Sequence, residues 1–332
     1  MYNNIMVMLL SALPYGLLIS ILSIGVYISY KIMNVPDLTV DGSFALGAVI
    51  NGIFCLYGHP LLGLLAGFLA GAMAGMITGL LHTVLHVSAI LAGVLVQTAL
   101  ISVNVMLPLA FGSVTGKSTS FALNPRFGAE SIFMNLNSLF GIQGAQKGKI
   151  LAIILLFVII ALLIGLLMLF FSTQLGLSIR ATGNNEEMVR ASSINTNKNK
   201  VISFALSNGI VGFGAALYVQ YLKSYAEGIG LGMLVTALAS IIIGETLFGS
   251  RCLFAGFLTV AAGSVLYRVI YSFAIRGGGA NGIKLFSAVI VVLFIAFSVV
   301  RKRLAEKRER LAEENQAGQS GEHAESAGAD HA

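Results

Sequence analysis

The chain has 332 residues, of which 57% are hydrophobic and 10% charged. A soluble domain carries about 45–50% apolar and about 25% charged residues, so this composition excludes a cytosolic enzyme, a disordered protein and a nucleic-acid binder. The net charge of +6 does not bring a nucleic acid back as partner: residues 301–332 hold six of the 20 basic and seven of the 14 acidic residues, and the basic excess is spread between apolar runs, as membrane topology requires.

Runs of about 20 apolar residues are long enough to cross a bilayer as helices. Nine candidates follow one another along the chain, near 6–30, 43–57, 60–82, 88–110, 149–171, 201–222, 229–249, 252–275 and 283–300. The fold class is therefore an all-α polytopic membrane protein with eight or nine transmembrane helices. The second run is short, so it either borrows from the preceding loop or is a half-helix. Residues 1–300 form the transmembrane domain, with polar interruptions at 111–148 and 172–200, and 301–332 forms a charged, largely disordered tail. The basic clusters at Arg301–Arg310 and at Arg180, Arg190, Lys198 and Lys200 place the tail and the 172–200 loop in the cytoplasm, and one span earlier 111–148 falls outside.

Between the first two runs lies Asn34-Val-Pro-Asp-Leu-Thr-Val-Asp-Gly-Ser-Phe44, rich in polar residues. Acids and irregular backbone at membrane depth are tolerated inside protein or along a water-filled cavity, and transporters place substrate sites at such broken helices. On that reading Asp37, Thr39, Asp41 and Ser43 line or shape a pathway, with Ser43 or Asp41 capping the second half-helix. The other reading is an ordinary turn with Asp41 as a plain cap. The third run carries Gly63, Gly67, Gly71, Gly75 and Gly79, a groove that lets another helix backbone approach closely, either within the chain or across a dimer seam.

The 172–200 loop divides into two short helices, Leu177–Ala181 and Glu186–Ile194, separated by a turn at Thr182-Gly183-Asn184-Asn185. Glu186 and Glu187 suit the start of the second helix and Arg190 pairs with Glu186 at i,i+4. A polar helix between two spans makes sense as a docking element for a soluble partner. Elsewhere Glu245 is placed to pair with Arg251, and Arg268, between Tyr267 and Tyr271, is either an interfacial anchor or the lip of a pathway. Gly112-Ser-Val-Thr-Gly-Lys-Ser118 is one residue short of a phosphate-binding loop and Gly228-Ile-Gly-Leu-Gly232 opens an apolar helix, so neither is a nucleotide site. Cys55 and Cys252 lie in apolar runs without a second ligand set, which leaves no expected metal, disulfide or cofactor.

The run Leu175-Gly-Leu-Ser-Ile-Arg-Ala-Thr-Gly-Asn-Asn-Glu-Glu-Met-Val-Arg-Ala-Ser-Ser-Ile-Asn195, followed by Ser203–Tyr218, resembles the coupling segment and next helix of bacterial ABC importer permeases of the branched-chain amino-acid, ribose and nucleoside type. Pro36–Gly47 is similar to a subgroup linked with amino acids, aromatic ones included, and the resemblance spans roughly residues 8–300. It implies a type II-like permease in the bacterial plasma membrane, without an ATPase site of its own. Its implied partners are cytoplasmic ATPase subunits, an extracytoplasmic solute-binding lipoprotein, a second permease copy as a homodimer, and lipid. It also implies coupling through Arg180, Gly183, Glu186, Glu187, Met188, Val189, Arg190 and Ile194. The rival functions are a transporter driven by an ion gradient, which would rest on Asp37, Asp41 and Glu245, and a nucleoside or sugar importer of the same class. A membrane enzyme lacks any His/Asp/Glu motif to support it.

Overall fold

The computed structural model describes residues 2–125, 128–139, 145–249 and 252–278, with 289, 292 and 296 besides. Apart from those three positions the predicted ninth run lies outside these residues, as do the tail from 301, Arg126 and Arg251. The other eight apolar runs are all helical. Six are long and apolar enough to cross a membrane: α1 (Tyr2–Tyr27), α3 (Pro60–Val84), α4 (Ala89–Ala110), α7 (Ala145–Ser172), α10 (Thr196–Leu222) and α12 (Leu253–Gly278). The other two, α2 (Val40–Leu56) and α11 (Met233–Phe248), are shorter apolar helices. The predicted 43–57 run thus begins three residues early, absorbing part of the preceding loop.

Burial separates inner helices from outer ones. In the candidate spans of α1 and α10, 72% and 67% of the most apolar stretch is buried, against 28% in α4 and α7. The outer helices turn Leu95, Met106, Phe157, Leu162 and Leu169 outward. In water such faces would be a liability, whereas against lipid tails they are the favourable surface.

The most extensive helix contact is between α3 and α10, and glycine makes it possible. A Cβ on Gly71 would collide with the Asn208 carbonyl and one on Gly75 with the Phe204 carbonyl, both on α10. Gly67 and Gly79 face Gly212, Ala216 and Val201 of the same helix, and Gly63 faces Asn51 of α2. The glycine groove is therefore filled from within the chain, by backbone against backbone, where dispersion and close approach replace the missing hydrophobic drive between helices in lipid.

The 111–148 segment contains the one-turn helix α5 (Gly112–Thr115), strand β1 (Phe121–Ala122) and α6 (Ile132–Leu139). Strand β1 pairs antiparallel with β2 (Ser224–Tyr225), Phe121 opposite Tyr225, which ties this segment to the end of α10. The other end of α10 meets α8 (Gln174–Asn184) and α9 (Glu186–Ala191). The predicted four-residue turn is reduced to a single break at Asn185, with Thr182, Gly183 and Asn184 helical, and the second helix stops at Ala191, short of Ile194.

Candidate functional site

Helix α1 does not end cleanly. It passes into a π-helical turn, Ile28–Ile32, and the chain then runs irregularly from Met33 to Thr39 with Asn34 in the left-handed region at φ 56°. Pro36 supplies the reason, because it has no N–H to continue a helix and disfavours helical backbone in the residue before it. Asp37 is buried in this break, 5% exposed. Its carboxylate accepts from the Thr39 N–H at 2.9 Å and from the Asn208 side-chain amide of α10 at 2.6 Å. The Thr39 hydroxyl in turn shares a hydrogen bond of 2.7 Å with Thr78 of α3. Ser43 is fully buried one turn further on and its hydroxyl has no partner among the described residues.

Asp41 does something else. Because α2 starts at Val40, its N-cap is Thr39, and neither Asp41 nor Ser43 caps it as the sequence suggests. Asp41 instead reaches across to α11, whose own N-cap, Gly232, has no side chain to offer. Its two carboxylate oxygens accept from the Gly232 N–H at 3.0 Å and the Leu234 N–H at 2.8 Å. Gly230 lies so close to the Asp41 carbonyl that no Cβ would fit between them. The N-termini of the two short helices thus meet at one acid, a cap supplied in trans that satisfies two orphan donors at once. Beside this junction lies a cavity of about 170 Å3, walled by Asp41, Gly42, Gln97, Asn104, Tyr225 and Glu227 together with apolar side chains. Of the four residues predicted to line or shape a pathway, Asp41 is on the cavity wall, while Asp37, Thr39 and Ser43 are buried in the helix contacts.

The second candidate region is the α8–α9 surface. Thr173 caps α8, Asn185 caps α9 and Asn195 caps α10, each accepting from an N–H in the first turn of its helix. Glu186 gathers Arg190 at 2.8 Å, Lys200 at 2.7 Å and the Thr196 hydroxyl at 3.3 Å. Partial burial pushes the Glu186 carboxyl up, but the Lys200 ammonium, aided by Thr196 and Arg190, outweighs it and holds the group below the ordinary carboxylate value. Asn199 of α10 donates to Ser178 at 2.7 Å and Thr182 at 2.8 Å, fastening α8 to α10. Gly183 serves contact and not turning, since a Cβ there would collide with the Ile32 carbonyl at the end of the π-helical turn. Val189 is buried, whereas Arg180, Glu187, Met188, Arg190 and Ile194 are exposed.

The remaining charges also find places. Glu245 pairs with Lys31 at 3.1 Å. Arg268 lies over the Tyr15 ring at 4.6 Å and the Tyr271 ring at 4.9 Å, a cation–π clamp in place of an acid. Residues 112–118 form α5 and a left-handed Gly116–Lys117 turn, with no strand leading into it among the described residues. Sequence reading missed Asn208, Thr78, Asn104 and Lys31. The signal was available for the two asparagines, because a lone amide within an apolar helix has to face protein.

The family model described as "Branched-chain amino acid transport system / permease component" matches residues 8–298. A tyrosine transport system permease protein of Clostridioides difficile is 31% identical over 290 residues, 87% of this chain and 90% of that protein. An uncharacterised protein of Rickettsia prowazekii is 25% identical over 306 residues, 89% of this chain and 98% of its own length. A probable branched-chain amino acid transport permease protein, LivH, of Methanocaldococcus jannaschii is 28% identical over 131 residues, 39% of each. No solved structure matches the chain.

Proposed function

Because the chain belongs to the family of permease components of branched-chain amino acid transport systems, we propose that it is the membrane subunit of an ATP-driven importer whose solute is an amino acid, an aromatic one being favoured by the tyrosine transport relative. Its multi-pass apolar helices in the inner membrane follow from the same membership. The observation that carries the proposal is the junction at Asp41, where two short helices start against each other beside a cavity. Discontinuous helices meeting inside the bundle are where transporters of several folds hold their solute. Asp37, Thr39, Asp41 and Ser43 shape this junction: Asp41 at the wall, Asp37 and Thr39 by fixing how α2 starts, and Ser43 by its place in the first turn of α2.

The energy comes from partner ATPases on the cytoplasmic side. The α8–α9 surface, with Arg180, Glu187, Met188, Arg190 and Ile194 outward, is the docking element, Glu186 bracing it from beneath. Gly183 is its contact with the break in α1, so a push on α8 reaches Ile32 and Met33 directly. An extracytoplasmic binding protein delivers the solute, and a second copy of the chain completes the pathway.

Uptake of labelled L-tyrosine and L-leucine by cells with the chain deleted and restored tests this. Restored uptake that persists when a protonophore collapses the ion gradient at maintained ATP is the expected result. Uptake that collapses with the gradient would overturn ATP coupling in favour of an ion-driven transporter. For the docking surface, Glu187→Lys combined with Met188→Asp should abolish co-purification of the ATPase while leaving the chain in the membrane. Unchanged assembly and uptake would remove the assignment.

A further inference from the structure

We propose that the cavity beside Asp41 is a station for the ammonium end of the solute, with the side-chain oxygen of Asn104 and the carboxylate of Glu227 as its acceptors; this rests on the amino-acid import reading and names the site within it. Asn104 lies in α4 and is 5% exposed. Its side-chain N–H group donates to the Gly42 carbonyl at 3.2 Å, and its side-chain oxygen has no partner among the described residues. A buried amide oxygen left unpaired costs about 1–3 kcal/mol, which an arriving donor recovers.

The chemistry of the walls selects the donor. Among the described residues no lysine, arginine or histidine lines the cavity, and two acids do, Asp41 and Glu227. Meeting helix N-termini ordinarily attract an anion. Here Asp41 already occupies the Gly232 and Leu234 N–H groups with which α11 would hold one. The Tyr225 hydroxyl is turned to the Asn104 backbone carbonyl at 3.5 Å, and the Gln97 amide can donate or accept; the charge on offer is acceptor only, in Glu227, whose backbone N–H is pinned by the Ser120 hydroxyl at 2.9 Å, and beside it stands the Asn104 side-chain oxygen. Apart from Gln97, Tyr225 and glycines, the rest of the wall is apolar, with Ala45, Ile101, Val105 and Leu231. The complementary ligand is a small solute with an ammonium head and an apolar body.

The test labels the cavity in the full-length chain in native membranes. Val105→Cys is made with Cys55→Ala and Cys252→Ser, and its modification by aminoethyl methanethiosulfonate, a cation, is compared with that by the anionic sulfonatoethyl reagent. The cation should react about tenfold faster or more, as in a cleft lined by one sign of charge. Glu227→Gln, at an exposed position where folding is not at stake, should remove most of that preference. Phenethylamine should slow the labelling and 3-phenylpropionate should not. Equal reaction with both reagents, a preference indifferent to Glu227→Gln, or protection by the carboxylate and not the amine would each overturn the assignment. In cells, Glu227→Gln and Asn104→Leu should each lower L-tyrosine uptake about tenfold, the loss of one hydrogen bond to a charged group. Cation-selective, amine-protected labelling in a chain that restores no amino-acid uptake supports the site and sinks the amino-acid reading.

Discussion

Asp37 and Glu186 are both acids at the start of a helical segment, in opposite surroundings. Asp37 is buried and held by a backbone N–H and the Asn208 amide, and no cation pairs with it among the described residues. Glu186 keeps a third of its side chain exposed and meets two cations, Arg190 and Lys200. A buried acid is costly unless its hydrogen bonds are complete, and the donors that complete those of Asp37 are fixed in the backbone and in α10. Their geometry is therefore specified jointly, and changing one member disturbs three elements. Glu186 is held by the long side chains of Arg190, which reaches water, and Lys200, which is mostly covered. The inner region is held by buried hydrogen bonds with fixed partners, and the outer region by ion pairs that reach the surface.

The strongest way to break the inner arrangement is Gly75→Leu, which drives a side chain into the Phe204 carbonyl at the α3–α10 contact. It should cost more than about 4 kcal/mol and remove the folded chain from detergent extracts, whereas Leu65→Ala on the exposed face of α3 should stay within about 0.5 kcal/mol. Size-exclusion profiles and thermal unfolding decide between them. Next is Asn208→Leu, which leaves the Asp37 acid without its side-chain donor and should cost about 3–5 kcal/mol. Asp37→Asn keeps an oxygen to accept from Thr39 and should cost within about 1.7 kcal/mol, the upper end for a polar contact between membrane helices. Equal melting temperatures for the two variants would mean that the buried acid does not organise the break. Asp41→Ala removes the shared cap of α11 and should cost about 1–2 kcal/mol, Asp41→Asn less, with hydrogen exchange rising first at Gly232 and Leu234.

These contrasts mark what was legible in the sequence. The bilayer sets helix length, so the apolar runs located eight helices with small errors at their ends, such as α10 beginning at Thr196 and not 201. Pro36 and the polar cluster around it announced a break, and the structure has one. Partners were not legible. The glycine stripe of α3 says that some backbone comes close, and only the fold says that it is α10. Asp41 reads as a local cap, yet it caps a helix 191 residues further on, because α2 starts two residues too early for it to serve its own. Gly183 reads as a turn residue for the same reason that Thr182 and Asn184 do, and the carbonyl of Ile32 that excludes a side chain there is invisible in the local sequence.

The smallest effect sharpens the comparison from the outer side. Glu186 lies below the ordinary carboxylate value in the folded chain, so its stabilising share is fully present above the ordinary range and fades as pH falls through the lowered value. The exposed Arg190 pair contributes about 0.2–1 kcal/mol and salt screens it, while the pair with Lys200, whose side chain is 12% exposed, is screened less. Glu186→Gln should therefore leave global unfolding almost unchanged at neutral pH while loosening the α9–α10 junction, seen as faster protease cleavage around residues 192–195. In the unaltered chain the same cleavage should quicken in acid and in high salt, and in Glu186→Gln it should respond to neither. Asp37 offers the reverse signature, since neutral donors inside a helix contact are indifferent to added salt. A salt-sensitive cleavage at the Asp37 break, or a salt-insensitive one at Glu186, would show that the two regions differ in position only and not in how they are held.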